Sequence, residues 1–116
     1  MKKNVMLFVL LWFVFSGFQT GNMIVKQGES FKIELESNHS TGYAWHWDNK
    51  PEHSIIDSIH VDYVLKSRTL TGSGGNEIWE FKATQQGEQM IRLVYKRPWE
   101  SEAPKESREI LIRVNE

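Results

Sequence analysis

Apolar and polar residues alternate with a period of two along most of the chain, and the helical period is rare, so the pattern predicts strands rather than helices. Phe31, Ile33 and Leu35 alternate with Lys32, Glu34 and Glu36, and Tyr43, Trp45 and Trp47 alternate with Ala44, His46 and Asp48. The same rhythm places Val61, Tyr63 and Leu65 on one face, then Trp79, Phe81 and Ala83, then Ile91, Leu93 and Tyr95, then Ile110, Ile112 and Val114. A further short strand is expected near Ile24. Gln27-Gly28, Gly42, Asn49-Lys50-Pro51, Gly72 to Asn76, Gln86-Gly87 and Pro98 to Pro104 carry turn chemistry between these runs.

Each run has one inward face, and about seven or eight such strands suffice for two packed sheets. The expected fold is all-β, an immunoglobulin-like antiparallel β-sandwich without a disulfide, in which Trp45 or Trp47 serves as the buried inter-sheet tryptophan. No linker, internal repeat or low-complexity tract interrupts it, so function is expected on loops carried by one rigid scaffold.

The N-terminus departs from this alternation. Lys2 and Lys3 precede an unbroken apolar run from Val5 to Phe15, followed by Ser16, Gly17, Thr20 and Gly21. That order reads as a secretory signal peptide over residues 1–21, with cleavage between Ser16 and Gly21 and the working domain over 22–116. The run falls short of the ~20 residues of a comfortable membrane span, and the alternative is an uncleaved anchor extending through Phe18. The expectation is an exported protein, secreted, periplasmic or vesicular, with no membrane attachment after the leader is removed.

A length of 116 residues allows one domain. Cysteine is absent, which excludes a disulfide framework, a thiolate metal site and a thiol nucleophile. Beyond residue 20 the chain carries 12 basic against 15 acidic residues, with no basic stripe interleaved with aromatics, so a nucleic-acid partner is not expected. His39, His46, His53 and His60 are spaced by seven, but an odd spacing flips faces on strands, so no metal site is read from them. Ser40, His39 and Asp48 do not make a hydrolytic triad: the first two are adjacent and no Gly-x-Ser-x-Gly elbow exists. No enzyme activity and no cofactor are expected.

Three loops stand out. Asn38-His39-Ser40-Thr41-Gly42-Tyr43 is a polar hexapeptide that an ordinary turn would explain, with an Asx-type bond at Asn38 and a positive φ at Gly42. Gly72-Ser73-Gly74-Gly75 has the bareness needed for close backbone approach, and also the composition of a simple connector. It is no phosphate cradle, because no Lys-Ser/Thr follows and a strand, not a helix, opens after it. Arg97-Pro98-Trp99 presents two side-chain types enriched at binding hot spots on a proline-stiffened segment. In the competing reading, Trp99 tucks back onto the sandwich with Arg97 over its ring.

Taken together, in this order and spacing, the loops resemble those of chagasin-type inhibitors of papain-like cysteine peptidases, whose pattern is Asn-Pro-Thr-Thr-Gly-Tyr/Phe, Gly-x-Gly-Gly and Arg-Pro-Trp/Phe. The resemblance spans essentially the whole chain after the leader. It implies a reversible, competitive inhibitor, monomeric when free, whose partner is a papain-like cysteine peptidase. It further implies that Asn38, Ser40, Thr41, Gly42 and Tyr43 enter the peptidase cleft, that Gly72, Gly74 and Gly75 lie along the groove, and that Arg97, Pro98 and Trp99 clamp its other side. His39 stands where the pattern has proline and Ser40 where it has threonine. Loss of proline removes preorganisation worth about 1 kcal/mol, while serine keeps a hydroxyl that can pair with desolvated polar groups. Asn38-His39-Ser40 is also an N-glycosylation acceptor sequence, on the loop that should enter the cleft. The alternative function is an exported adhesion or carbohydrate-binding module that uses Trp99 and Tyr43 as stacking platforms.

Overall fold

Burial of the alternating apolar faces is what pairs these segments into two sheets. The computed structural model describes residues 10–11, 18–67, 69–70 and 72–116. Its strands are β1 (Leu10–Leu11), β2 (Phe18–Lys26), β3 (Ser30–Ser37), β4 (Ala44–Trp47), β5 (Ile56–Leu65), β6 (Gly75–Ala83), β7 (Gly87–Lys96) and β8 (Glu106–Asn115), with a 3-10 turn at His39–Thr41. One sheet has the order β1-β3-β6-β5 and the other β2-β8-β7-β4. All pairings are antiparallel except β1 with β3 and β2 with β8. This is the immunoglobulin-like sandwich that the alternation predicts.

The core lies between the sheets, where Phe31, Ile33, Phe81, Ile91, Leu93, Ile110 and Ile112 are almost wholly excluded from water. Phe31 and Phe81 stack at 5.4 Å across β3 and β6. Of the two candidate inter-sheet tryptophans, Trp45 is buried, with Nε1 donating to the Glu36 carbonyl at 2.9 Å. Trp47 is partly buried and meets Phe81 edge-on at 5.3 Å.

Two expectations need correction. Val61 and Leu65 do pair on the inward side, opposite Trp79 and Gly75, yet they are 44% and 52% exposed. β5 is an edge strand whose first residue, Ile56, is buried in the core while the rest of it is largely exposed, so its parity sets the face but not the burial. The strand near Ile24 is not short: β2 runs nine residues along β8, and Ile24 itself is exposed while Met23 and Val25 point inward. Most of the leader assigned to residues 1–21 lies outside the described residues, but its last four, Phe18 to Gly21, pair with Ser107 to Ile110.

The four evenly spaced histidines fall on four different segments: the 3-10 turn, β4, the connection before β5, and β5. His46 is half-buried, and its Nε2 has no hydrogen-bond partner among the described residues. Burial holds its pKa below the ordinary 6.5, Lys96 acts in the same direction and Glu77 opposes. The unfolded chain therefore binds more protons than the folded one as pH falls through 6.5, and His46 subtracts stability on the acid side. In thermal melts, the drop in unfolding midpoint from about pH 7.5 to about pH 5 should be smaller for His46→Gln than for the natural chain. Equal drops in the two proteins would remove this assignment.

Candidate functional site

Strand register, not local sequence, gathers the three loops. Ser37 at the end of β3 pairs with Gly75 at the start of β6, and Ala44 at the start of β4 pairs with Lys96 at the end of β7. Tyr95 pairs with Glu106 at the start of β8. The connections 38–43, 66–74 and 97–105 therefore leave the sandwich at one end. The sheets are tied together there by the Asn38 N–H, which donates to the Tyr95 hydroxyl at 2.8 Å.

The first loop is a closed unit. The Asn38 side chain accepts from the Ser40 N–H at 3.1 Å and from the Ser40 hydroxyl, and it caps the 3-10 turn. The Thr41 hydroxyl and the Gly42 N–H donate back to the Asn38 and His39 carbonyls at 2.6 and 3.0 Å. Gly42 ends the turn at φ 86°, a conformation that favours glycine. The hydroxyls of Ser40 and Thr41 thus spend their protons inside the loop, and the Thr41 hydroxyl also accepts from the Tyr43 N–H at 3.4 Å.

Each of the other loops is fastened to this one. Asn38 Nδ2 donates to the Gly72 carbonyl at 3.0 Å. Arg97 Nε donates to the Thr41 carbonyl at 2.9 Å, and its guanidinium lies 4.4 Å over the Tyr43 ring and 3.1 Å from Glu100. Trp99 is 69% exposed, and the edge of its ring covers Gly42, where a Cβ would lie 2.5 Å from Cη2. Arg97 stacks on Tyr43 rather than on Trp99, and Trp99 rests on the loop rather than on the core. The competing reading of that segment is thereby set aside.

The structure places the eleven candidate residues unequally. Ser40, Thr41, Gly72, Pro98 and Trp99 are exposed; Asn38, Gly42, Tyr43 and Arg97 are half-buried. Gly74 and Gly75 are buried. Gly74 has φ 82°, and its carbonyl accepts from the Lys66 N–H at 2.9 Å. A Cβ on Gly75 would overlap the Val64 carbonyl oxygen. Of the three glycines Gly72 alone is exposed, and the other two shape the loop from below.

Four residues beneath the loops escaped the motif reading. Glu77, only 2% exposed, accepts from the Ser37 hydroxyl at 2.8 Å, the Trp45 N–H at 3.0 Å and Trp79 Nε1 at 3.0 Å. Arg108 is buried beside Glu106 at 3.3 Å and lies 5.1 Å over the Trp45 ring. Burial lowers its pKa, and the Glu106 carboxylate opposes that shift. Tyr95 stacks under Tyr43 at 5.1 Å, and Tyr63 lies under His39. A carboxylate at an inward position of β6 was the available signal for Glu77, because an acid is almost never buried without partners.

Among the described residues no three potential metal ligands cluster. Comparison with known proteins gives the tip a context. The family model described as Chagasin family peptidase inhibitor I42 matches residues 24–114. Chagasin of Trypanosoma cruzi is 31% identical over 80 residues, covering 66% of this chain and 73% of that protein. Amoebiasin-1 of Entamoeba histolytica is 33% identical over 98 residues, covering 78% and 85%. Among solved structures, the cysteine protease inhibitor EhICP2 of Entamoeba histolytica superposes with a TM-score of 0.72 at 22% identity, covering 85% of this chain and 95% of its own. The solution structure of Amebosin gives 0.66 at 28% identity, covering 85% and 98%.

Proposed function

Because the chain belongs to the chagasin family of peptidase inhibitors, we propose that it is a reversible, competitive inhibitor of papain-family cysteine peptidases and blocks their active-site cleft with the three-loop tip. One observation carries this reading: segments far apart in sequence, 38–43, 72–75 and 97–99, are cross-linked by hydrogen bonds into one preformed surface. Preorganisation matters because association must otherwise absorb the ordering entropy of each loop.

The geometry also accounts for inhibition without cleavage. A peptidase cuts a peptide held extended with its carbonyl in attack geometry. Here the leading segment is a closed 3-10 turn with internal bonds, so it fills space without offering an extended strand. The alternative carbohydrate reading fits less well. The Tyr43 ring stacks with Tyr95 at 5.1 Å and has Arg97 and Lys105 over it at 4.4 and 5.2 Å, which crowds one of the two aromatic platforms that reading needs and leaves it Trp99.

Steady-state assays of papain and of a serine peptidase test the proposal. Papain should be inhibited, with the inhibition relieved as substrate is raised, and the serine peptidase should not respond. Glycan binding on an array without papain inhibition would favour the adhesion module instead. Export belongs to the same proposal, supported by the positive leader and the apolar run. A cut ahead of Phe18 keeps all nine positions of β2, whereas a cut after Gly21 removes four of them. The N-terminal sequence of the exported protein distinguishes the two.

A further inference from the structure

His39 stands at the crown of the first loop, in the place where the resemblance expects a proline, and its side chain is turned down onto the sandwich. Its ring lies nearly flat on Tyr63, with centroids 3.8 Å apart and planes at 15°. Its Nε2 is 2.8 Å from Glu77 Oε2, and its backbone N–H donates to the Tyr63 hydroxyl at 3.2 Å. The Tyr63 hydroxyl donates in turn to the Ser37 carbonyl at 3.3 Å. The loop is thereby strapped to β5 and β6 as well as to its own strand. Glu77 is a fixed anchor for this strap, because its other three donors come from Ser37, Trp45 and Trp79.

We propose that His39 is a positioning residue: by clamping onto Glu77 and Tyr63 it holds loop 38–43 in the conformation that enters the peptidase, and so supplies through its side chain the rigidity that proline would supply through the backbone. This inference rests on the inhibitor reading above. A loop that visits the competent conformation only part of the time binds with an affinity reduced by that fraction. When the conformations interconvert faster than they are captured, the loss falls on the association rate. An Nε2–H donor toward Glu77 is present both in one neutral tautomer and in the imidazolium, so the bond can form in either state. The fold does not depend on the clamp, since Glu77 keeps three donors without it.

The side chain of His39 is still 39% exposed, so direct contact with a peptidase is the competing explanation. Association and dissociation rates with papain separate the two. For His39→Ala the association rate should fall about tenfold while dissociation stays within about twofold. Tyr63→Phe, which keeps the stacking but loses the hydroxyl, should lie between, and His39→Gln, which restores an N–H donor toward Glu77, should recover part of the loss. In the free protein, exchange of the Thr41 and Gly42 amide hydrogens should accelerate about tenfold in His39→Ala. Faster dissociation at an unchanged association rate would make His39 a contact residue and overturn the proposal. Unchanged amide exchange would overturn it whether or not papain is inhibited. A natural chain that fails to inhibit papain, with accelerated exchange in the variant, would instead remove the inhibitor reading and leave the clamp.

Discussion

Trp99→Ala raises the inhibition constant toward papain by about thirtyfold, equivalent to about 2 kcal/mol, and leaves the unfolding midpoint unchanged. The two halves of this expectation have separate causes. In the free protein the indole is 69% exposed, its ring edge lies over Gly42 and it is not part of the core cluster, so its removal opens no cavity in the core. Exposed substitutions of this kind usually move stability by less than about 0.5 kcal/mol. In a complex, the same indole is a large, rigid surface with few rotamers to freeze, beside an Arg97 already fixed to Thr41 and Glu100. A lowered midpoint with unaltered inhibition would make Trp99 a structural prop instead.

Gly75→Ala has the opposite profile. The added methyl would overlap the Val64 carbonyl oxygen and lie 3.0 Å from Leu65 Cα, both backbone atoms of the paired strand, so relief requires β5 to move away from β6. Overpacking of this kind costs about 1–3 kcal/mol. For a domain of this size each kcal/mol lowers the midpoint by about 4–8 °C. Inhibition should weaken along with folding, unlike the clean separation expected at Trp99. A variant with the natural melting curve and weak inhibition would place Gly75 in the binding surface itself. The cost is steric, since Gly75 is not among the glycines with positive φ, whereas Gly74, at φ 82°, would add torsional strain to any side chain.

These contrasts show which parts of the molecule could be read from residues alone. Parity placed the inward faces of β3, β6, β7 and β8, because burial on one side of a pleated strand enforces a period of two. It did not distinguish centre from edge: Val61 and Leu65 have the same parity as Phe31 and Ile33 but sit on the exposed part of an edge strand. Three loop motifs in order marked the candidate site, yet their roles differ in space. The buried Gly74 and Gly75 shape the second loop, and Gly42 makes room for Trp99. Beneath them, Glu77 and Arg108 occupy inward positions of runs that continue as Trp79-Phe81-Ala83 and Ile110-Ile112-Val114. A charge at an apolar parity signals a buried polar anchor, but its partners at Ser37, Trp45 and Glu106 come from tertiary structure.

Backbone amide exchange of this protein, measured free and bound to papain, tests the central claim most directly. Protection on binding should be confined to residues 38–43, 72–75 and 97–99, with the opposite end of the sandwich, the turns at Gln27-Gly28 and Gln86-Gly87, exchanging as in the free protein. Protection centred on the β5 edge or on those far turns, with the loops unchanged, would contradict it.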